Sequence, residues 1–253
     1  LFVERMWDDI GTAVRRGYDG RCDGLIFIAP PLDSQLAPSL QERGLPMVFL
    51  GTAPYLPDVS SVDIDNEAAA YALGRHLLDL GQRRIFYLGY RDNVTSSTER
   101  EAGLRRACVE AGLPSDAVEK VQAHGDVPSW VDAALARDPQ PTAFFGWNDD
   151  EALRAMDRLL ELGYRVPEDF SVVGIDDDPR SVDYDPGLTT VVNPVVALGR
   201  RAANLVIDKL LNADQPPETV KFAPDLVLRE STGPARKAAR ATPSRAPIVH
   251  ESV

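Results

Sequence analysis

Short apolar runs alternate with longer amphipathic stretches along most of this chain. The runs are Gly24–Ala29 (GLIFIA), Pro46–Gly51 (PMVFLG), Ile85–Tyr90 (IFYLGY), Thr142–Trp147 (TAFFGW) and Ser171–Asp176 (SVVGID). Between or beside them lie the amphipathic stretches Asn66–Leu80, Thr98–Ala111, Asp149–Leu162 and Pro194–Leu211. Strand-length runs alternating with helical patterns of ten or more residues predict βαβ units and a parallel sheet. Glycine follows three of the helical stretches, at Leu80–Gly81, Ala111–Gly112 and Leu162–Gly163, where a left-handed residue commonly ends a helix. Asp65–Asn66 is placed to cap the first stretch, and Asn148 or Asp149 the third, because a short side-chain oxygen can accept from the first helical amides. The chain is predicted to be α/β.

Both ends break the pattern. Phe2–Tyr18 (FVERMWDDIGTAVRRGY) is amphipathic and predicts a helix, and Asp19, Gly20 and Arg21 alone separate it from the strand-like run that begins at Cys22. A parallel crossover needs about a dozen residues or more, so no further βα unit fits there. From Gly233 to Val253 the composition turns basic and proline-containing, with no apolar period, which predicts a disordered tail.

A chain of 253 residues, 44% hydrophobic, can bury one full core or two smaller ones. Its formal net charge of −12 opposes binding to nucleic acid by this segment alone. Cys22 and Cys108 form no disulfide framework or zinc spacing, which suits a reducing cytoplasm. No run approaches the length of a membrane span. Catalytic signatures are missing: His76, His124 and His250 are scattered, and neither a phosphate loop nor a nucleophile elbow follows a strand. The reading is of a non-enzyme without cofactor or metal.

Six motifs carry a more specific signal: VDIDN (Val62–Asn66), HLLDLGQRRIFYLG (His76–Gly89), PTAFFGWNDDEAL (Pro141–Leu153), RVPEDFSVVGIDD (Arg165–Asp177), DPGLTTVVNP (Asp185–Pro194) and LVLREST (Leu226–Thr232). In this order and spacing they resemble the effector-binding core of the lac/gal-repressor family of bacterial transcription regulators. The resemblance runs from about Cys22 to Ser231, with Phe2–Tyr18 similar to the family's first helix. It implies two doubly wound parallel-sheet lobes of the periplasmic binding protein type I architecture. One lobe would hold residues 1–62 and 193–222, the other 63–192 and 223–232. The family's first strand and its second strand–helix unit have no counterpart here, so the N-terminal lobe is expected to be incomplete. Either the chain omits these segments of its parent, which we favour, or Phe2–Tyr18 takes the second helix's place.

The resemblance also implies a sugar-like effector bound between the lobes. Arg100, in REAGL, matches an arginine that reaches the effector; its guanidinium fork can donate twice to hydroxyls or a carboxylate. By position alone it could equally pair with Glu99 or Glu101. Asn148 matches an effector-contacting amide, with helix capping as the alternative. Asp176 matches an effector-binding carboxylate; a cation site at Asp176–Asp178 is disfavoured because neighbouring strand residues point to opposite faces. Asn193, before Pro194, stands where the family usually has glutamine at the hinge. Trp130 and Trp147 could each wall a sugar face, although core packing is the commoner role. Phe2 falls in the family's first ligand loop. Gly51 departs from the pattern, standing where some members carry an effector-binding aspartate.

The expected protein is thus the sensor of a cytoplasmic homodimeric repressor that controls operator DNA through an N-terminal helix-turn-helix headpiece absent from this chain. An extracytoplasmic sugar-binding protein of a transporter is the alternative, and a sugar-modifying enzyme the third reading.

Overall fold

The computed structural model describes residues 22–29, 32, 38, 41–42, 44–51, 56, 58–122, 125–137 and 140–236. Phe2, the helix expected over Phe2–Tyr18 and the tail beyond Arg236 lie outside them. The chain divides into two compact units: Leu1–Ala68, Arg91–Arg100 and Asn193–Pro224 form the first, and Ala69–Tyr90, Glu101–Val192 and Asp225–Val253 the second. The sequence expectation places the first handover at 62/63 and Arg100 with the second lobe. Here the handover is at Ala68/Ala69, and Arg100 clusters with the first unit.

The first unit is built on a parallel sheet of β1 (Leu25–Ile28), β2 (Met47–Leu50), β3 (Ser60–Ile64) and β9 (Thr219–Phe222), in the spatial order β1-β2-β3-β9. β1 and β2 are the predicted GLIFIA and PMVFLG runs. Their Phe27 and Phe49 rings pack at 5.8 Å, and α6 (Val195–Leu211) covers the sheet with Leu198, Ala202, Leu205 and Val206. Gly24 permits that approach, since a Cβ there would lie 2.6 Å from Val206 Cγ1.

The second unit holds a parallel sheet of β5 (Val118–Gln122), β4 (Ile85–Gly89), β6 (Ala143–Gly146) and β7 (Ser171–Val173), in that spatial order. β4 is buried at all five residues, as a central parallel strand covered on both faces should be. Alternation splits its aromatics. Phe86 meets Phe144 edge-on at 5.9 Å, and Tyr87 meets Phe145 at 5.4 Å. Phe144, Phe170 and Tyr164 extend one cluster, into which α4 (Asp149–Glu161) inserts Ala152, Met156 and Leu159. The remaining helices are α1 (Asn66–Asp79), α2 (Thr95–Glu110), α3 (Val127–Leu135) and α5 (Pro179–Asp183). The division between the units passes through α1 and α2 near their N-termini.

β7 is shorter than the predicted Ser171–Asp176, ending at Val173. The chain nonetheless continues beside 189–192, with parallel bridges from Val173 to Thr189 and from Asp176 to Val192. The LTTVVNP segment contributes β8 (Thr190–Val191), antiparallel to β10 (Leu226–Val227). β5 and β9 escape an apolar-run criterion because VEKVQ and TVKF are polar edge strands.

The start of the expected tail needs correction. Gly233 N donates to Ser171 Oγ, and its carbonyl accepts from Gln82 Nε2 at 3.0 Å. Ala235 N donates to Leu80 O, and the Arg236 guanidinium lies 4.3 Å over the Phe170 ring. Gly233–Arg236 is therefore an anchored strap. Local composition could not reveal it, because its partners are more than 60 residues away in sequence.

Candidate functional site

In the second unit, the chemistry gathers where β4, β6 and β7 end. β6 passes into α4 through Gly146, Trp147 and Asn148. A Cβ on Gly146 would lie 2.6 Å from both Ala152 N and Asn148 O, so glycine is what lets the strand turn this tightly into the helix. Trp147 N donates to Leu88 O, and its ring stacks on Tyr90 at 4.5 Å with planes 17° apart. The pair forms a half-buried aromatic surface at the carboxyl edge of the sheet.

Asn148 is the N-cap of α4: its Oδ1 accepts from Glu151 N at 3.0 Å. Capping uses Oδ1 alone, and Nδ2 is a donor of the kind that a hydroxyl oxygen accepts from. Asp149, the other predicted cap, is buried at 1% exposure. Its carboxylate accepts from Thr190 Oγ1 at 2.6 Å, Ser181 Oγ at 2.7 Å and Asp178 N at 2.9 Å. Burial raises its pKa, outweighing those three hydrogen bonds.

Asp176 follows β7 and is half-buried; its amide donates to Val191 O at 2.9 Å. The three consecutive acids separate. Asp177 Oδ1 accepts from Arg229 Nη2 at 2.5 Å, and Asp178 pairs with Arg180 at 2.9 Å, which holds the Asp178 carboxyl below the usual range. Among the described residues no group of three or more histidines, cysteines or acids is arranged to hold a metal ion. Trp130 is partly buried and packs against the apolar cluster to which α3 and α4 contribute. Asp126, of Gly125-Asp126-Val127, caps α3 through Ser129 N at 3.4 Å.

In the first unit, Arg100 is 5% exposed. Its Nε donates to Asn66 Oδ1 at 2.8 Å, while Asn66 Nδ2 donates to Asp63 Oδ2 at 2.9 Å and Glu99 Oε2 at 3.3 Å. Glu99 in turn accepts from Lys221 Nζ at 3.0 Å. Asn66 does not cap α1, because Asp65 does so through Ala68 N at 3.0 Å. Burial pushes the Asp63 carboxyl up to about 6, against the lowering influence of Arg100. Asn193, also in this unit, is half-buried, and its carbonyl accepts from Val195 N at 2.7 Å. Gly51 has φ 103° at the end of β2, a conformation that disfavours any side chain.

Of the predicted site residues, Trp147, Asn148 and Asp176 belong to one strand-end surface of the second unit. Arg100 and Asn193 belong to the first unit, Trp130 is partly buried against the second unit's core cluster, and Phe2 lies outside the described residues. Sequence reasoning did not single out Tyr90 or Thr190, and it read Asn66 and Asp149 only as helix caps. Tyr90 could have been found as the aromatic that ends the predicted Ile85–Tyr90 run. The others form contacts at separations of 34 and 41 residues and leave no local signal.

The family model for the periplasmic binding protein-like domain matches residues 74–232. The HTH-type transcriptional repressor PurR of Mannheimia succiniciproducens is 33% identical over 190 residues, covering 74% of this chain and 57% of the relative. The HTH-type transcriptional regulator CelR of Thermobifida fusca is 33% identical over 216 residues, covering 83% and 63%. The solved structure of a transcriptional regulator CelR–cellobiose complex is similar at 30% identity and a TM-score of 0.80, covering 87% of this chain and 69% of that one. The chain therefore spans 57% to 63% of the length of these two curated relatives, both of which are named as regulators rather than transport proteins. Among the described residues no helix is long and apolar enough to cross a membrane.

Proposed function

Because this chain belongs to the lac/gal-repressor family of periplasmic binding protein-like domains, we propose that it is the ligand-sensing core of a bacterial transcriptional repressor. The effector is a sugar or sugar-like molecule. The parent protein acts as a cytoplasmic homodimer that reads operator DNA through a helix-turn-helix headpiece, and the sensor is not an enzyme and uses no cofactor.

The observation that carries this reading is the set Trp147, Asn148 and Asp176 at the carboxyl ends of β6 and β7, the end of an open α/β sheet where ligands bind. An aromatic face suits the apolar face of a sugar ring, an amide N–H donates to a hydroxyl oxygen, and a carboxylate accepts from adjacent hydroxyls. Arg100 and Asn193, both in the first unit, are the other polar residues that match the family's effector-contacting positions. The cellobiose complex of the similar CelR structure supports a saccharide as the effector class. A sugar that prefers one arrangement of these groups shifts the population towards it, with a coupling to DNA affinity of about 1–3 kcal/mol.

The test is a thermal-shift and tryptophan-fluorescence screen of mono- and disaccharides, beginning with cellobiose. A ligand at 100 times its dissociation constant should add about 2.7 kcal/mol of stability. Asn148→Ser retains a cap oxygen but lacks the amide donor, so it should lose affinity while keeping its melting temperature, and Asp176→Asn should do the same. Full ligand response in both variants would place the site elsewhere.

A further inference from the structure

We infer that Asp149, acting with Thr190, is a positioning residue that holds the Asp176–Asp178 turn in a strained form and thereby aims the Asp176 carboxylate. This deepens the effector-site reading and rests on it for the role of Asp176.

The turn is unusual in its backbone. Asp176 has φ 142° and Asp177 φ 52°, two consecutive non-glycine residues where L side chains are rarely found. Such conformations persist only when the surroundings over-determine them. Here three successive amides are restrained. Asp176 N donates to Val191 O at 2.9 Å, Asp177 N to Thr190 Oγ1 at 3.3 Å, and Asp178 N to Asp149 Oδ2 at 2.9 Å. Two of the three acceptors are joined to each other, since Thr190 Oγ1 donates to Asp149 Oδ1 at 2.6 Å. Ser181 Oγ, at the far end of the turn, donates to the same carboxylate at 2.7 Å. Asp149 N donates to Ile175 O at 2.9 Å, so this one residue grips the segment on both sides of Asp176.

Three further observations separate this arrangement from ordinary packing. The carboxylate is 1% exposed and these partners are two hydroxyls and one amide, a costly way to bury an acid. Helix capping does not require it, because Asn148 caps α4. Gly174 also makes room for it: a Cβ there would lie 2.3 Å from Asp149 Oδ1. The cage thus sets the direction in which the chain leaves β7, while Asp177 and Asp178 are drawn to Arg229 and Arg180.

Thr190→Val keeps the shape of the side chain but removes both the donor to Asp149 and the acceptor for Asp177 N. Thr190→Ser restores both. In amide hydrogen exchange on the ligand-free chain, Thr190→Val and Asp149→Asn should speed exchange at Asp177 and Asp178 at least tenfold. Met156 and Leu159 in α4 should be unchanged, and Thr190→Ser should match wild type. In parallel, Thr190→Val should weaken cellobiose binding at least tenfold, with Thr190→Ser within twofold. Fast exchange at Asp177 and Asp178 in the wild type, or an equal rise across α4, overturns the clamp. So does unchanged cellobiose affinity in Thr190→Val. If wild type binds none of the sugars screened but the turn amides are slow and released by Thr190→Val, the effector reading fails and the clamp stands.

Discussion

Arg100 Nε donates to Asn66 Oδ1 at 2.8 Å, and the two side chains are 5% and 0% exposed. The neighbouring glutamates are engaged elsewhere: Glu99 with Lys221, and Glu101 with Arg105 and Lys120. Arg100 is therefore not a helix-surface arginine in an i,i+1 charge pair. A buried amide orients its guanidinium.

Asn66→Leu removes this amide while keeping an apolar volume. It leaves Arg100 Nε and Asp63 Oδ2 without their neutral partner, so urea denaturation should report a loss of about 2–3 kcal/mol, the usual penalty for orphaned buried polar groups. A loss under about 0.5 kcal/mol would show that other groups already satisfy both.

Asp63 gives the cluster a pH dependence. Burial lifts its carboxyl from 3.8 to about 6, so between those values the native state binds more protons than the unfolded chain. The contribution is stabilising, present in full below the unfolded value and lost as pH rises through the folded one. Its ceiling is about 3 kcal/mol, from the two-unit shift at roughly 1.4 kcal/mol per unit. Denaturation at pH 5, 6.5 and 8 should show wild type losing stability relative to Asp63→Asn as pH rises; parallel profiles would refute the assignment.

Gly174 and Gly199 should respond oppositely to alanine. At Gly174 the new Cβ would meet Asp149 Oδ1 at 2.3 Å and Asp149 Cα at 3.0 Å, so overpacking of about 1–3 kcal/mol is expected. At Gly199, within α6, nothing lies within 4 Å, and removing a helix-interior glycine should gain about 0.5–1 kcal/mol. Calorimetric melting temperatures that move in the same direction would contradict the packing described for Gly174.

Gln82 anchors the C-terminal strap. At 1% exposure, it donates to Ser171 Oγ at 2.9 Å and to Gly233 O at 3.0 Å. Gln82→Leu should cost about 1–3 kcal/mol by leaving those acceptors buried with one donor fewer. It should also speed amide exchange at Gly233 and Ala235. Unchanged exchange there would mean that Ser171 and Leu80 hold the strap unaided.

The α/β class, the positions of five apolar strands and those of four helices were legible in the chain, because buried parallel strands and amphipathic helices write their periodicity into consecutive residues. The spacing of the six motifs carried the family. Asn148 and Asp176 were proposed as candidates because they match the family's motifs at the ends of the TAFFGW and SVVGID runs. The polar edge strands β5 and β9, the strap at Gly233–Arg236 and the division of labour between Asp65 and Asn66 were decided only in three dimensions. So was the cage around Asp149, whose partners Ser181 and Thr190 lie 32 and 41 residues away. Periodicity is a local property of the backbone, whereas the satisfaction of a buried charge depends on which distant hydroxyl or amide the fold delivers to it.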